Sequence, residues 1–109
     1  SKTAQDYITV IENYPSHPAS NDILLPLQEA LNLAGRSSEF DKYLNQFKNA
    51  NPESKGIESV EYESAKNLYF NQDYTRAIKS LSSYAQNYPS SPRVAEARYY
   101  LAESYYRLK

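Results

Sequence analysis

The chain has 109 residues and a formal net charge of −1. Such a balanced charge gives no general attraction to nucleic acid or to acidic lipid, so we expect neither as a partner. The absence of cysteine excludes disulfides and thiol catalysis. No apolar run approaches the roughly 18 residues of a membrane span. With two glycines and twelve tyrosines, the composition favours an all-helical protein with half-buried or interface-forming aromatic surfaces.

Three proline-bearing segments divide the chain at equal intervals of 37 residues. They read YPSHP at 14–18, NPESK at 51–55 and YPSSP at 88–92, with Pro15, Pro52 and Pro89 in equivalent places. Proline cannot donate a helical hydrogen bond and disfavours helical geometry in the residue before it. A fixed period of this length is typical of repeat architectures. The sequence therefore predicts repeated units of helix, short turn, helix and proline-bearing loop.

The predicted units follow one another without a linker. They are an orphan second helix at 1–15, a divergent repeat at 16–52, a full repeat at 53–89 and the first helix of a further repeat at 90–109. Apolar residues at helical spacing predict the buried face of each second helix. These are Ala4, Tyr7, Val10 and Tyr14 in the first, Leu44 and Phe47 with Phe40 as a substitute in the second, and Ile78, Leu81, Tyr84 and Tyr88 in the third.

Residues at the predicted helix ends have the chemistry of caps. Gly35 is placed as a C-terminal cap, and Gln72 occupies the equivalent position one period later. Asp73 is a candidate N-cap for the helix that follows it, and Ser91 for the helix of 90–109, with Pro92 as its first residue. Pro26 either begins its helix or lies in an early turn with a kink.

Residues 60–109 resemble the tetratricopeptide repeat (TPR) family. Ala65 and Ala77 match the small residues at which its paired helices meet, residues 72–74 match its turn, and Pro89 matches its closing proline. The resemblance implies a right-handed superhelical stack of antiparallel helix hairpins. The longer YPSSP linker is similar to the bacterial envelope subgroup, such as Tol-Pal-associated periplasmic proteins and outer-membrane assembly lipoproteins. This subgroup favours the periplasm or cell envelope, with the cytoplasm left open.

In that family the first helices line a concave groove, which the resemblance places in this chain at eight positions. They are Tyr62, Lys66, Tyr69, Phe70, Tyr99, Glu103, Tyr106 and Arg107. Tyrosines interleaved with charges suit the binding of an extended peptide or a helix of a protein partner. Three alternatives stay open: tyrosines that only pack between units, a structural spacer or oligomerisation segment, and glycan contact through tyrosine rings.

The sequence offers no recognisable catalytic, cofactor or metal site. His17 is the only histidine and lies in a loop, so it lacks the several convergent ligands that a metal needs. Glu58 and Glu61 can share a helix face, but we expect such a pair to be solvated surface. We therefore predict a protein that is not an enzyme and requires no cofactor.

The last predicted helix presents an apolar face that has no second helix after it in this sequence. Leu101, Ala102, Tyr105 and Leu108 form that face. We interpret the chain as part of a longer array, in which an adjacent helix covers these residues. The orphan helices at the two ends are complementary, so we expect head-to-tail or swapped self-association at high concentration.

Overall fold

The computed structural model describes residues 3–17 and 19–109. Residues 1, 2 and 18 lie outside it, and with them the start of the predicted segment 1–15 and the second proline of YPSHP. The helices are α1 (Ala4–Asn13), α2 (Ala19–Asp22), α3 (Leu24–Leu33), α4 (Phe40–Ala50), α5 (Ile57–Phe70), α6 (Tyr74–Asn87) and α7 (Val94–Arg107). A 3-10 turn, Ser37–Glu39, precedes α4. No strand occurs in the residues described, and the prediction of an all-α, TPR-like helical fold is confirmed.

The first compact unit, Ser1–Ile57, is built on contacts among α1, α3 and α4. Each of the three helices contributes residues to its interior. They are Ala4, Ile8 and Ile11 of α1, Leu24, Leu27 and Leu31 of α3, and Phe40, Tyr43 and Phe47 of α4. Burying a large apolar side chain stabilises the fold by roughly 1.5–3 kcal/mol, so these residues hold the unit together.

The predicted buried stripe of α1 is wrong by about one position. Ile8 and Ile11 are buried with Ala4, whereas Tyr14 is 61% exposed. The reason is that α1 contacts both α3 and α4, so its buried face is centred between these two neighbours. In α4 the predicted substitution by Phe40 is confirmed.

Pro26 interrupts the first helix of the divergent segment. Ile23 lies in a turn between α2 and α3, and Pro26 is the third residue of α3. In an uninterrupted helix, Pro26 could not donate to the carbonyl of Asp22 and its ring would clash with that carbonyl. The helix is therefore interrupted at Ile23, and Pro26 lies in the first turn of α3, as the alternative of an early turn with a kink predicts.

The corners that precede Pro15, Pro52 and Pro89 share one backbone geometry. The C-cap residues of α1, α4 and α6 have φ and ψ of −134° and 52°, −135° and 60°, and −132° and 57°. Each helix ends two residues before its proline, because the residue before a proline is disfavoured in helical geometry. The predicted helix stops at these prolines are confirmed.

The second compact unit, Glu58–Lys109, has one apolar core shared by α5, α6 and α7. It consists of Tyr62, Ala65 and Leu68 of α5, Ala77, Leu81 and Tyr84 of α6, and Ala97 of α7. Ala65, Ala77 and Ala97 are fully buried, so the helices meet at methyl groups. The small residues expected at 65 and 77 from the TPR resemblance are confirmed as core residues.

Asp73 is confirmed as the N-cap of α6, whereas the prediction of Ser91 and Pro92 as the N-cap and first residue of α7 is wrong, because its N-cap is Arg93. Asp73 Oδ1 accepts a hydrogen bond from the backbone N–H of Arg76 at 3.3 Å. Ser91 Oγ accepts from the N–H of Arg93 at 3.1 Å, but α7 begins only at Val94. Residues 92–93 form a turn instead of the first helical residues.

Gly35 and Gln72 end α3 and α5 with the same hydrogen-bond pattern. Each has a positive φ, 73° for Gly35 and 65° for Gln72. The next residue donates its N–H five residues back, Arg36 to Leu31 at 2.7 Å and Asp73 to Leu68 at 2.9 Å. This is a Schellman motif, in which glycine is favoured because other residues are strained at positive φ. Gln72 therefore carries strain that Gly35 avoids.

We expect Gln72→Gly to raise, and Gly35→Ala to lower, the free energy of unfolding by about 0.5–1 kcal/mol each. Left-handed geometry costs a non-glycine residue about 1–2 kcal/mol, partly offset by the ~0.4–1 kcal/mol of unfolded-chain entropy that glycine adds. A Cβ at Gly35 meets nothing within 4 Å, so no steric clash adds to the backbone strain there. Urea unfolding of the variants measures both changes. Asn71→Gly is the matched control, since Asn71 has no positive φ; equal stabilisation by it would contradict the explanation.

Candidate protein-binding surface

Four aromatic rings of α5 and α7 contact one another at the surface of the second unit. Tyr69 lies 5.2 Å from Phe70 and 5.0 Å from Tyr100 between ring centroids. Tyr100 lies 5.5 Å from Phe70 and 5.4 Å from Tyr99. Edge-to-face and tilted pairs at these distances are favourable beyond simple area burial. We call this set, Tyr69, Phe70, Tyr99 and Tyr100, the aromatic wall.

The aromatic wall has an anchored side and an accessible side. Tyr69 and Tyr100 are partly buried and pack against the core of α5, α6 and α7. Phe70 and Tyr99 are 60% and 58% exposed. The anchored rings hold the exposed ones in place, so the surface offers apolar area at a low cost in side-chain entropy.

Tyr100 is a wall residue outside the eight predicted positions. It contacts three other rings, more than any of the predicted wall residues except Tyr69, which also contacts Tyr74 at 5.8 Å. The tyrosine doublet at 99–100 is the available signal, because consecutive helical residues point about 100° apart. A tyrosine doublet on a helix therefore presents rings on two adjacent faces, and here one face contacts α5 through Tyr100.

The remaining predicted residues of α7 extend the surface away from the wall. Glu103 accepts a hydrogen bond from the Tyr99 hydroxyl at 3.2 Å. This bond to Glu103 raises the pKa of Tyr99, so the hydroxyl stays a donor. Tyr106 is 69% exposed and Arg107 is exposed, which places an aromatic ring and a cation in solvent near the end of the helix.

Tyr62 lies in the core, which contradicts the prediction that it lines an accessible wall. Its side chain is only 2% exposed and packs 5.3 Å from the ring of Tyr84. Lys66 and Arg93 lie over its ring at 5.3 and 5.7 Å. The helix period puts Tyr62 and Tyr69 on similar faces, but α6 buries Tyr62 fully, whereas it contacts Tyr69 at Tyr74 and leaves that ring partly exposed. Lys66 also pairs with Glu63 at 3.4 Å.

A hydrogen-bonded cluster joins the start of α5 to the loop after α6. Glu58 Oε2 accepts from Ser91 Oγ at 2.7 Å and from the Tyr84 hydroxyl at 3.0 Å, while the two hydroxyl oxygens lie 2.8 Å apart. Arg93 Nη1 is 3.9 Å from the same carboxylate. The Ser91 hydrogen bond, then that of Tyr84, lowers the pKa of Glu58. This cluster fixes the loop that leads into α7.

Glu61 repeats the arrangement one turn later on α5. Its Oε1 accepts from the Tyr88 hydroxyl at 2.7 Å. Burial, followed by this carboxylate, raises the pKa of Tyr88 well above its usual range. The expectation that Glu58 and Glu61 are merely solvated surface is therefore wrong, because tyrosines of the paired helix reach both carboxylates.

The residues that the structure describes contain neither a metal-binding cluster nor a membrane-spanning helix. Among residues 3–17 and 19–109 there is no group of three or more His, Cys, Asp or Glu side chains that could hold a metal ion. His17 is exposed in the loop after α1, where its backbone N–H donates to the carbonyl of Tyr14 at 3.1 Å. In the same part of the chain, no helix combines the length and apolar character required to cross a bilayer.

In the second unit, helices that meet at small residues and carry exposed rings on α5 and α7 define a TPR-like helical protein of the interaction type. Residues 28–109 match the model of the YfiO family, described as outer membrane lipoprotein. The chain belongs to this family, whose members are non-enzymatic envelope proteins that act in protein–protein interaction. No curated protein and no solved structure matches the chain significantly.

We expect Glu58→Gln to lower stability at neutral pH and to flatten its decline in acid. Because the pKa of Glu58 is lowered in the fold from 4.5, its contribution is complete above that value. It is lost as the pH falls through the lowered pKa. Urea unfolding at several values between about pH 7 and pH 3 measures both effects.

Glu53→Gln is the matched control for this experiment, since Glu53 is exposed in the loop after α4. An acid dependence that is the same in Glu58→Gln and in the unmodified chain would contradict the role of the cluster.

Proposed function

We propose that the chain is a scaffold that binds a peptide or protein segment of an envelope partner on the first-helix surface of its second unit. The exposed rings of Phe70, Tyr99 and Tyr106 carry this proposal, since they are large apolar surfaces left in solvent. The residues of the site are Tyr69, Phe70, Tyr99, Tyr100, Glu103, Tyr106 and Arg107, with Lys66 at its margin.

The chemistry of the surface indicates how a partner is held. Anchored aromatic rings supply contact area, and residues of this kind dominate the energy of protein interfaces. Glu103 and Arg107 place opposite charges one turn apart on α7, so they can fix the direction and register of a bound segment. Tyr62 contributes to the core and is left out of the site.

We further propose that the surface belongs to a groove of a right-handed superhelical TPR array with a 37-residue period. The common geometry of the three proline corners supports this proposal. So do the matching Schellman motifs at Gly35 and Gln72, which are also 37 residues apart. An envelope or periplasmic location follows from the family, which favours that compartment.

Site-specific photo-crosslinking tests the proposed binding surface. With p-benzoylphenylalanine at Tyr99 or at Tyr106, we expect the same protein partner to be captured in the cell envelope, because both side chains lie in the site. Leu33 is the control position, since it is a large exposed hydrophobic residue of the first unit. Crosslinks that are equal at Leu33, or absent at both tyrosines, would overturn the proposal and support the structural-spacer alternative.

Self-association through α7 is a second proposal, supported by the exposure of Tyr105 and Leu108. Leu101 is different, because it is partly buried and packs against the core. Sedimentation velocity should show concentration-dependent dimers or oligomers. The change of Tyr105 and Leu108 to serine should shift them towards monomer without loss of helix. A strict monomer at about millimolar concentration would contradict this proposal.

A further inference from the structure

A depression of about 570 Å³ lies between the C-terminal ends of α1 and α4, within the first unit. It shares no residue with the aromatic wall. Its lining consists of Ile11, Glu12, Pro15, Gln46, Asn49 and Ala50. The depression is shallow and largely open to solvent, so a bound group lies across it and stays partly hydrated.

The lining combines apolar and polar groups. Pro15 and Ala50 supply accessible hydrocarbon surface, and Ile11 forms the fully buried floor beneath it. The side chains of Glu12, Gln46 and Asn49 have no hydrogen-bond or ion-pair partner within residues 3–17 and 19–109. Their oxygen atoms are therefore free to accept hydrogen bonds from a ligand.

The walls of the depression are held by hydrogen bonds across the chain. The side-chain amide of Asn51 donates to the carbonyl of Pro15 at 2.6 Å and to that of Phe47 at 2.9 Å. The Ser20 hydroxyl donates to the carbonyl of Tyr14 at 2.6 Å. These bonds tie the corner after α1 to the end of α4, so the depression exists before any ligand enters and little reorganisation is needed.

The local charge favours a cation. Glu12 brings a carboxylate to the last turn of α1, which contains no basic residue. The C-terminal ends of both helices add the negative pole of the helix dipole. The last turn of α4 contains one cation, Lys48, but no ion pair joins it to Glu12 among the residues described. Glu12 therefore remains unneutralised.

We propose that this depression binds an arginine side chain presented by an extended segment of a partner protein. The aliphatic stem of arginine can lie along Pro15 and Ala50 while its charged head remains at the rim. The guanidinium group donates in a planar fork that matches a carboxylate, and its other N–H groups suit amide oxygens. The site is thus specific for arginine through Glu12, with Gln46 and Asn49 as further acceptors.

Nuclear magnetic resonance of the ¹⁵N-labelled 109-residue chain tests this proposal. The probes are the blocked pentapeptide Ala-Ser-Arg-Ser-Ala and its counterpart with glutamine in place of arginine. We expect only the arginine peptide to shift the side-chain amide signals of Gln46 and Asn49 in a saturable way. Raising the salt concentration should weaken the binding, because the contact with Glu12 is electrostatic and solvent-accessible.

Glu12→Gln should lower the affinity for the arginine peptide about fivefold or more, since a charge-assisted contact is removed at nearly constant shape. Glu96→Gln is the matched control, because Glu96 is an exposed residue of α7 outside the depression. Equal affinity in Glu12→Gln, an equal response to the glutamine peptide, or no saturable shift up to about 20 mM peptide would overturn the proposal.

Ethylguanidinium serves as a further probe and distinguishes a protein segment from a small cation. We expect it to bind more weakly than the arginine peptide, because it lacks the backbone and most of the aliphatic stem. Equal affinity for the two would overturn the assignment to a protein segment. Because the titration reports on residues 11–50, its outcome is separate from that of crosslinking at Tyr99 and Tyr106.

Discussion

The contact of three helices at buried alanines is the interaction on which the second unit depends. Ala65, Ala77 and Ala97 are fully buried where α5, α6 and α7 meet. A larger side chain at such a contact forces the helices apart, since interiors are packed to the density of organic crystals. The aromatic wall spans α5 and α7, so its ring distances follow from this spacing. The small size of these three core residues therefore sets the distance between α5 and α7, and with it the arrangement of the rings at the surface.

The first unit shows what happens where the small residues are absent. One period before Ala65 and Ala77 stand Gln28 and Phe40, which are both buried. An amide and a ring must be accommodated where the second unit has two methyl groups. The first unit also breaks its first helix at Pro26 and begins α4 after a 3-10 turn. The divergence seen in the sequence thus corresponds to a helix pair that packs through larger side chains and has an interrupted first helix.

Local features of the backbone could be predicted from the sequence, whereas the neighbours of surface side chains could not. The helix stops before Pro15, Pro52 and Pro89 and the left-handed caps at Gly35 and Gln72 depend on residues within one turn. The stripe of α1 was misplaced because two helices, not one, cover it. The partners of Glu58 and Glu61 lie 26 and 27 residues away, and spacing along α5 contains no information on them.

Tyr62 and Tyr99 show why the candidate surface was only partly predictable. The two tyrosines occupy equivalent positions one period apart, yet Tyr62 is in the core while Tyr99 is largely exposed. Tyr62 is covered by Tyr84 of α6, whereas the ring and hydroxyl of Tyr99 contact Tyr100 and Glu103 of its own helix. Tyrosine tolerates both environments, because its ring packs in a core and its hydroxyl can stay hydrated or bonded at a surface. The buried Tyr62 hydroxyl has no hydrogen-bond partner among the residues described, so burial there carries a desolvation cost that the exposed position avoids. The sequence pattern therefore identifies where a repeat places an aromatic ring, and the presence of a covering helix decides whether that ring stabilises the core or contacts a partner.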